Sequence, residues 1–408
     1  MPIRVETVSR EELELFEATT GLAFHEERHP ADIAIDVALL DPERTLAIRE
    51  DGAIVATAAA YPRELTVPGA TVPASAVSAV GVLPGHTRRG FLTALMRRHL
   101  DDARAEAIPV AALWVSEGAI YGRYGYGPAT RSVHYELVLK EAALRAGAPL
   151  PAEWARLATV QDALPAMRAV FEEVRPRHAG ILSRSDGWWT RRVHDPEHRR
   201  DGFGPLRAVI QPGPGGGPAG YALYSAKLSW GDHGPAGELR VRELAAATPE
   251  ARAGLWSYLL GLDLMRTLGW GLAPDHDPLA HLLASTDPLV RKVGGGLWIR
   301  LVDVDAALSA RRYAAPLDVV LEVADAFGPW NAGRRRLRAD GEAVTCEPSA
   351  EAADLELDAA ALGAAYLGGT RLEALAGAGL VRELRPGALA EASLAFGAGA
   401  EPWCPEIF

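Results

Sequence analysis

The stretch Ala76-Val-Ser-Ala-Val-Gly-Val-Leu-Pro-Gly-His-Thr-Arg-Arg-Gly-Phe-Leu92 decides how the chain is read. It opens as a Val-rich apolar run and continues as a pattern of Phe91, Leu92, Leu95, Met96 and Leu100. That change from a continuous apolar run to i, i+1, i+4, i+5 spacing predicts a strand, a turn and an amphipathic helix. The turn holds two glycines and the pair Arg88-Arg89. A helix N-terminus presents unpaired N–H groups and partial positive charge, so a phosphate fits there. Gly90 would let the amides approach an anion, and the two arginines would add charge-assisted bonds. An ordinary strand-to-helix turn carrying a solvated basic pair is the competing reading.

Outward from this stretch, the totals set bounds. A chain of 408 residues exceeds one ordinary core, so two or three domains are expected. The formal net charge of −11 disfavours a nucleic-acid partner, which needs a basic face, and suits a cationic small molecule. No apolar run reaches the roughly 18 residues of a membrane span, so no membrane partner is expected. The first residues lack a signal-peptide core. Cys346 and Cys404, far apart, form neither a disulfide framework nor a zinc site, which places the chain in a reducing cytoplasm.

Along the first third, Ile3–Val8 reads as a strand and Ser9 starts a helix running to about Thr20, stopped by Gly21. Thr45–Glu50 and Ala53–Tyr61 form a hairpin on the turn Asp51-Gly52. Val110–Val115 is a short buried strand and Ser132–Leu139 another, with Ile120-Tyr-Gly-Arg-Tyr-Gly-Tyr-Gly-Pro-Ala-Thr130 between them. Glycines alternating with phenols force an irregular loop, where function concentrates; a turn simply packed on the sheet is the alternative.

Val-x-Val-x-Pro-x-x-x-Arg-Arg-Gly-x-Leu resembles the acetyl-CoA pyrophosphate loop of GNAT N-acetyltransferases. Thr87 and Leu92 depart from that family's usual Arg/Gln and small residue. With the Tyr-Gly string of residues 120–130, the resemblance is to the enhanced intracellular survival (Eis) proteins of actinobacteria, which are GNAT-type aminoglycoside acetyltransferases. It implies an α+β fold with tandem GNAT-like domains, each a mixed central sheet flanked by helices, and a sterol-carrier-protein-like C-terminal domain. The expected boundaries are 1–148, 149–295 and 296–408. The resemblance also implies acetyl-CoA as cosubstrate, held by Val80, Gly81, Val82, Thr87, Arg88, Arg89, Gly90, Phe91 and Leu92, with no metal. Tyr126 takes the family's general-acid position, and the carboxylate of Phe408 that of the base. Transfer would be direct, through a tetrahedral intermediate, so neither cysteine is needed as a nucleophile. The family's hexamers imply a homo-oligomer. Aminoglycosides are the implied amine substrates; peptide lysines are the alternative, and a non-catalytic lipid carrier is a third reading.

The second third restarts the pattern. Pro212–Gly220 reads as a loose hairpin loop inside one domain, and Thr248-Pro-Glu starts a helix without an Arg-Arg-Gly turn before it, so no cofactor is expected there. Asp275-His-Asp277 reads as a turn with Asx caps before a metal site. In the last third, Leu297–Val304 is a strand, Leu317–Val323, Arg334–Leu337 and Ala343–Cys346 follow, Asp354–Asp358 is an edge strand, Asp358–Tyr366 a helix and Leu380–Ala388 helix-like. Lipid carriage would need a tunnel lined by residues such as Leu357, Leu362 and Tyr366. The tail Glu401-Pro-Trp-Cys-Pro-Glu-Ile-Phe408 is unusually apolar, so it is expected to be buried, with partners for its carboxylate; pinning for packing alone is the other reading. Family members carry an acidic residue beside the final Phe, where this chain has Ile407. Phe24, Glu26, Glu27, Ser78 and Glu406 are therefore the expected substrate-binding residues.

Overall fold

A computed structural model describes residues 3–341 and 343–408 of the chain. Three sheets organise it. The first begins with β1 (Glu6–Thr7), followed by helices α1 (Leu13–Ala23) and α2 (Pro30–Val37), then β2 (Thr45–Glu50), β3 (Ala53–Val67) and β4 (Ala70–Val82). Asp51 and Gly52 both have positive φ, so β2 and β3 meet in the expected two-residue turn. Helix α3 (Phe91–Ala105) and β5 (Val110–Trp114) complete the contiguous part. Leu13 and Phe16 pack on one face of this sheet with Ala47, Ala59, Tyr61 and Ala74. Phe91 and Leu95 pack on the other with Leu46, Ile48 and Ala58. That alternation is the period-2 pattern of strands covered on both faces.

Two boundaries differ from the sequence reading. The first strand shrinks to Glu6–Thr7, and α1 starts at Leu13 after a 3-10 turn over Arg10–Glu12. Gly21 does not stop α1, which runs to Ala23; a helix tolerates glycine near its end at about 1 kcal/mol.

The larger correction concerns the sheets. Strand β6 (Gly127–Pro128) stays with the first sheet, but β7 (Arg131–Val138) does not. It pairs with Met265–Ala273 and Leu289–Gly295 in the second sheet. In return, Leu297–Leu301 inserts between β5 and β6, giving the order β1-β2-β3-β4-β5-(297–301)-β6. The sheets therefore do not divide at residues 148 and 295: the second holds one strand from the stretch 1–148, and the first holds one from the stretch 296–408.

The second sheet continues through Gly237–Ala246, Pro218–Lys227, Arg207–Pro212 and Arg156–Ala158. Its 207–212 and 218–227 strands pair antiparallel, so the glycine-rich segment is a hairpin loop. In the C-terminal unit Leu355–Asp358 lies between Leu317–Ala324 and Val381–Glu383, so it is interior, not an edge. The stretch expected to be helical at Leu380–Ala388 contains that short strand, and the helix follows at Ala388–Phe396. Leu357, Leu362 and Tyr366 are buried in one core with first-unit residues such as Ala74 and Leu301. The Tyr366 hydroxyl donates to the Ala307 carbonyl at 3.0 Å, and the buried Arg311 guanidinium donates to the Phe396 carbonyl at 2.8 Å. These side chains are spent on packing and internal hydrogen bonds. Among the described residues no helix is long and apolar enough to cross a membrane.

Candidate active site

The site begins where β4 leaves its neighbour. β4 and β5 pair in parallel from Ala74/Val110 to Val77/Leu113, and there the ladder ends while β4 continues to Val82. At the same place β4 carries one extra residue against β3, a bulge between Ser78 and Gly81, with Ala79 at φ 53°. A bulge bends and twists its strand, which opens a fork between β4 and β5. Thr57 Oγ1 donates to the Ala79 carbonyl at 2.8 Å and holds the distortion in place. The backbone of Ser78–Val82 on the β5 side is thus left as a free strand edge, able to pair with an amide-bearing ligand.

Past the fork the chain turns into α3. Gly90, the residue before the helix, has φ 86°, and no side chain caps the first amides. Arg88 also has positive φ, at 63°. A cleft of about 720 Å³ runs from here along the fork. It is lined by Val80, Gly81, Val82, Thr87, Arg88, Gly90, Phe91 and Leu92, with Phe24 and His25 on one wall and Glu117, Tyr121 and Tyr124 on the other. Uncapped amides, a nearby guanidinium and a free strand edge fit a ligand with a phosphate at one end and amides along its length.

Five of the expected site residues sit elsewhere. Arg89 turns away from the cleft and its guanidinium is taken by Glu50 through both carboxylate oxygens. Glu26 and Glu27 are exposed, and the cleft wall beside them is made by Phe24 and His25. Glu406 is buried with both oxygens committed, one to Arg63 and the other to Arg184 at 2.8 Å. The fifth is Tyr126. Its side chain is fully buried among Met96, Leu100 and Tyr121, and its hydroxyl has no hydrogen-bond partner among the described residues. Burial raises its pKa against the opposing pull of Arg300. The phenols of the same string that line the cleft are Tyr121 and Tyr124, the latter with its hydroxyl 3.2 Å from Thr93 Oγ1. Burial, followed by Tyr124 and Glu117, pushes the Tyr121 pKa up to about 12, which keeps it a proton donor.

The loop carrying Tyr121 is held from behind by the C-terminal unit. Gly127 pairs with Ile299, and a Cβ on it would come within 1.9 Å of the Ala360 carbonyl oxygen, so only glycine fits.

Ser78 and Phe408 meet as expected. Ser78 Oγ donates to the Phe408 main-chain oxygen at 2.7 Å, across 330 residues of sequence. The acidic groups nearest this point were not signalled by any motif. Asp36 accepts from Arg191 Nε at 2.9 Å, and Arg191 Nη1 donates to the Ile407 carbonyl at 3.0 Å. Arg28 bridges Asp36 to Glu17, 3.2 Å away. Burial pushes the Glu17 carboxyl up to about 7 despite Arg28 and Arg191. Asp277 is occupied by Arg252, Trp256 Nε1 and the Leu279 amide, and Asp275 by Arg291 and Arg131, so both carboxylates do structural work.

The forked strand, the uncapped helix start and the facing phenol define a GNAT acetyltransferase. The GNAT acetyltransferase domain family matches residues 4–129 and again 180–301, and the sterol carrier protein domain family matches 304–405. The chain is 43% identical over 360 residues to an N-acetyltransferase of Streptomyces coelicolor, covering 88% of this chain and 87% of the relative. It is 36% identical over 330 residues to N-acetyltransferase Eis of Mycobacterium tuberculosis, covering 78% and 77%. The crystal structure of Eis1 from Mycobacterium abscessus superposes with a TM-score of 0.86 at 32% identity, over 99% of this chain and all of that one. The chain belongs to the Eis-like N-acetyltransferases, with two GNAT domains and a sterol-carrier-like domain.

Proposed function

We propose that the chain transfers acetyl from acetyl-CoA directly to an amine of a cationic small molecule of the aminoglycoside kind. The single observation that carries this reading is that Tyr121 lines the cleft along the β4 fork while the Phe408 carboxyl end meets Ser78, the first β4 residue past the end of its ladder with β5. Acetyl-CoA supplies an activated thioester; Val80–Val82 would hold its amide-bearing arm and the Arg88–Gly90 turn its phosphates. Tyr121 delivers a proton to the leaving thiolate. A phenol raised to about 12 gives up its proton only where the thiolate is presented to it directly, so placement carries more of the effect than acidity. The Phe408 carboxylate, oriented by Ser78, takes the amine's proton. A carboxylate near pKa ~3.5 is a weak base for an ammonium, so it acts chiefly by orienting the amine and stabilising positive charge. Glu17 and Asp36 lie near the tail but are paired with Arg28 and Arg191, so they do not replace Glu26 and Glu27 as free anionic partners of a cation. A homo-oligomer, hexameric as the resemblance implies, and a cytoplasmic location go with this reading.

CoA release with acetyl-CoA and a panel of aminoglycosides and lysine peptides tests it. Tyr121→Phe is expected to lower kcat by about 10²–10⁴-fold, and removal of Phe408 by a comparable factor. Tyr126→Phe is expected to leave kcat within about threefold. Loss in Tyr126→Phe with retention in Tyr121→Phe would reverse the assignment. Turnover on lysine peptides alone would move the substrate class.

A further inference from the structure

The tail is held by a charge cluster that the reaction does not use. Glu406 reaches Arg63 on β3 of the first unit and Arg184 of the second. Arg184 in turn makes two hydrogen bonds to Glu243, at 2.9 and 2.8 Å, and Arg192 and Tyr221 close on the same carboxylate. Arg63, Arg184, Glu243 and Glu406 are all buried. Burial pushes the Glu406 carboxyl up, but Arg184 and Arg63 outweigh it and hold the group ionised.

Other bonds seat the tail upstream. Trp403 donates its amide to the Ala179 carbonyl at 2.8 Å and its Nε1 to the Leu272 carbonyl at 2.6 Å, where the second unit's Met265–Ala273 strand ends. Trp403 packs into the second unit's core, whereas Cys404 and Phe408 pack into the first unit's. Glu406 points inward, Ile407 outward and Phe408 inward again. The tail is a wedge between the two units, and Glu406 is its only charged inward side chain after Trp403.

We infer that Glu406 is a positioning residue for the Phe408 carboxylate, and that the cofactor-free second unit serves as the receptor that holds this tail. The inference rests on the proposed role of Phe408. Two residues separate the clamp from the terminal carboxylate, so a tail that swings at Glu406 moves that carboxylate by ångströms. Misplacement of about 1 Å costs on the order of a hundredfold in rate. Substrate binding by Glu406, as expected from sequence, is excluded by its two arginine partners. The glutamate instead fixes the group that meets the substrate.

Cys404 offers a direct reporter, because its thiol is buried within the wedge, with Sγ 3.2 Å from the Glu406 carbonyl. The experiment uses the full chain and measures three quantities: kcat, the KM for acetyl-CoA, and the labelling rate of Cys404 by a small aromatic disulfide. Buried Cys346 is the internal control, resolved by peptide mass. Glu406→Gln is expected to lower kcat by about a hundredfold, with KM for acetyl-CoA unchanged, and to speed Cys404 labelling about tenfold or more through local opening. Glu406→Gln leaves two arginines short of a counter-ion and risks misfolding. The double variant Arg63→Gln/Glu406→Gln restores the charge balance; it is expected to keep wild-type thermal unfolding and show the same loss of kcat. Cys404 still protected and kcat unchanged in both variants overturns the inference. A chain lacking Phe408, assayed in parallel, separates the two levels. If that deletion abolishes turnover and the Glu406 variants do not, positioning fails alone; if it leaves turnover intact, the catalytic reading of Phe408 fails with it.

Discussion

The two GNAT units carry the same fork put to opposite uses. In the first, β4 leaves β5 after Val77, and in the second, Gly237–Ala246 leaves Met265–Ala273 after Val241. Both forked strands carry a bulge at that point, against β3 in one and against Pro218–Lys227 in the other. The helix that follows tells them apart. Gly90 enters α3 in the left-handed region and leaves the first amides bare. Thr248 enters Pro249–Leu260 in extended conformation, and its Oγ1 accepts from the Ala251 amide at 3.1 Å. One helix start waits for an anion; the other is capped by its own side chain. Past the fork, the first unit's cleft of about 720 Å³ reaches the bare helix start at Gly90–Leu92, while the second unit's cavity of about 770 Å³, lined by Arg242, Gly271 and Leu272, includes no residue of its capped helix. The backbone forks in both units, and the residue that enters the following helix sets them apart.

Three changes would break or sharpen this contrast. The largest effect is expected for Gly90→Thr, which gives the first unit the second's solution. Its backbone would be strained at φ 86° and its side chain would compete with the phosphate for the same amides. Titration calorimetry should show affinity for CoA falling about tenfold or more, on strain of about 1–2 kcal/mol; unchanged affinity would remove the turn from the binding site. The reverse change, Thr248→Ala, should cost about 1 kcal/mol of stability by denaturant unfolding. It should leave CoA stoichiometry at about one per chain, because no Arg-Arg-Gly turn precedes this helix; a second binding event would refute the account that the helix start decides.

The smallest effect lies at the tail's seat. His178 stacks on His276 and meets the edge of Trp403. Burial, then the neighbouring His276, Arg252 and Arg177, lowers its pKa to about 4. The unfolded chain binds a proton near the ordinary value of 6.5 while the folded chain does not. Stability is therefore fully present above about 6.5 and falls as pH drops toward 4. Thermal unfolding between pH 7 and 4.5 should show a shallower acid loss in His178→Gln than in wild type, and equal slopes would remove His178 as a contributor. Buried His99, also lowered to about 4 by desolvation, acts in the same direction and leaves residual acid sensitivity.

The strand–turn–helix at Ala76–Leu100 was legible because a change of hydrophobic period and a glycine before the helix are local signals. The Asp51-Gly52 hairpin was legible for the same reason. The exchange of β7 and Leu297–Leu301 was not, because alternation reveals that a strand has buried and exposed faces but not which sheet it joins. The choice among Tyr121, Tyr124 and Tyr126 turns on how a glycine-broken loop curls, and three phenols within six residues carry no directional mark. Arg63, Arg184 and Glu243 belong to no motif, and charged residues are mostly exposed, so their buried cluster with the tail had no signal in the sequence.

The strand exchange also sets a timetable. A ribosome adds about 5–20 residues per second and domains generally close as they emerge. Here the first sheet lacks an interior strand until residue 301 has been made, although its fork, cleft and Tyr121 are already present in the chain. For many seconds the nascent chain carries a cleft whose sheet is open at β5, an edge that invites wrong pairing. Cutting the gene at either unit boundary would reproduce that half-built state permanently, so the two acetyltransferase-like halves are bound to fold as one event.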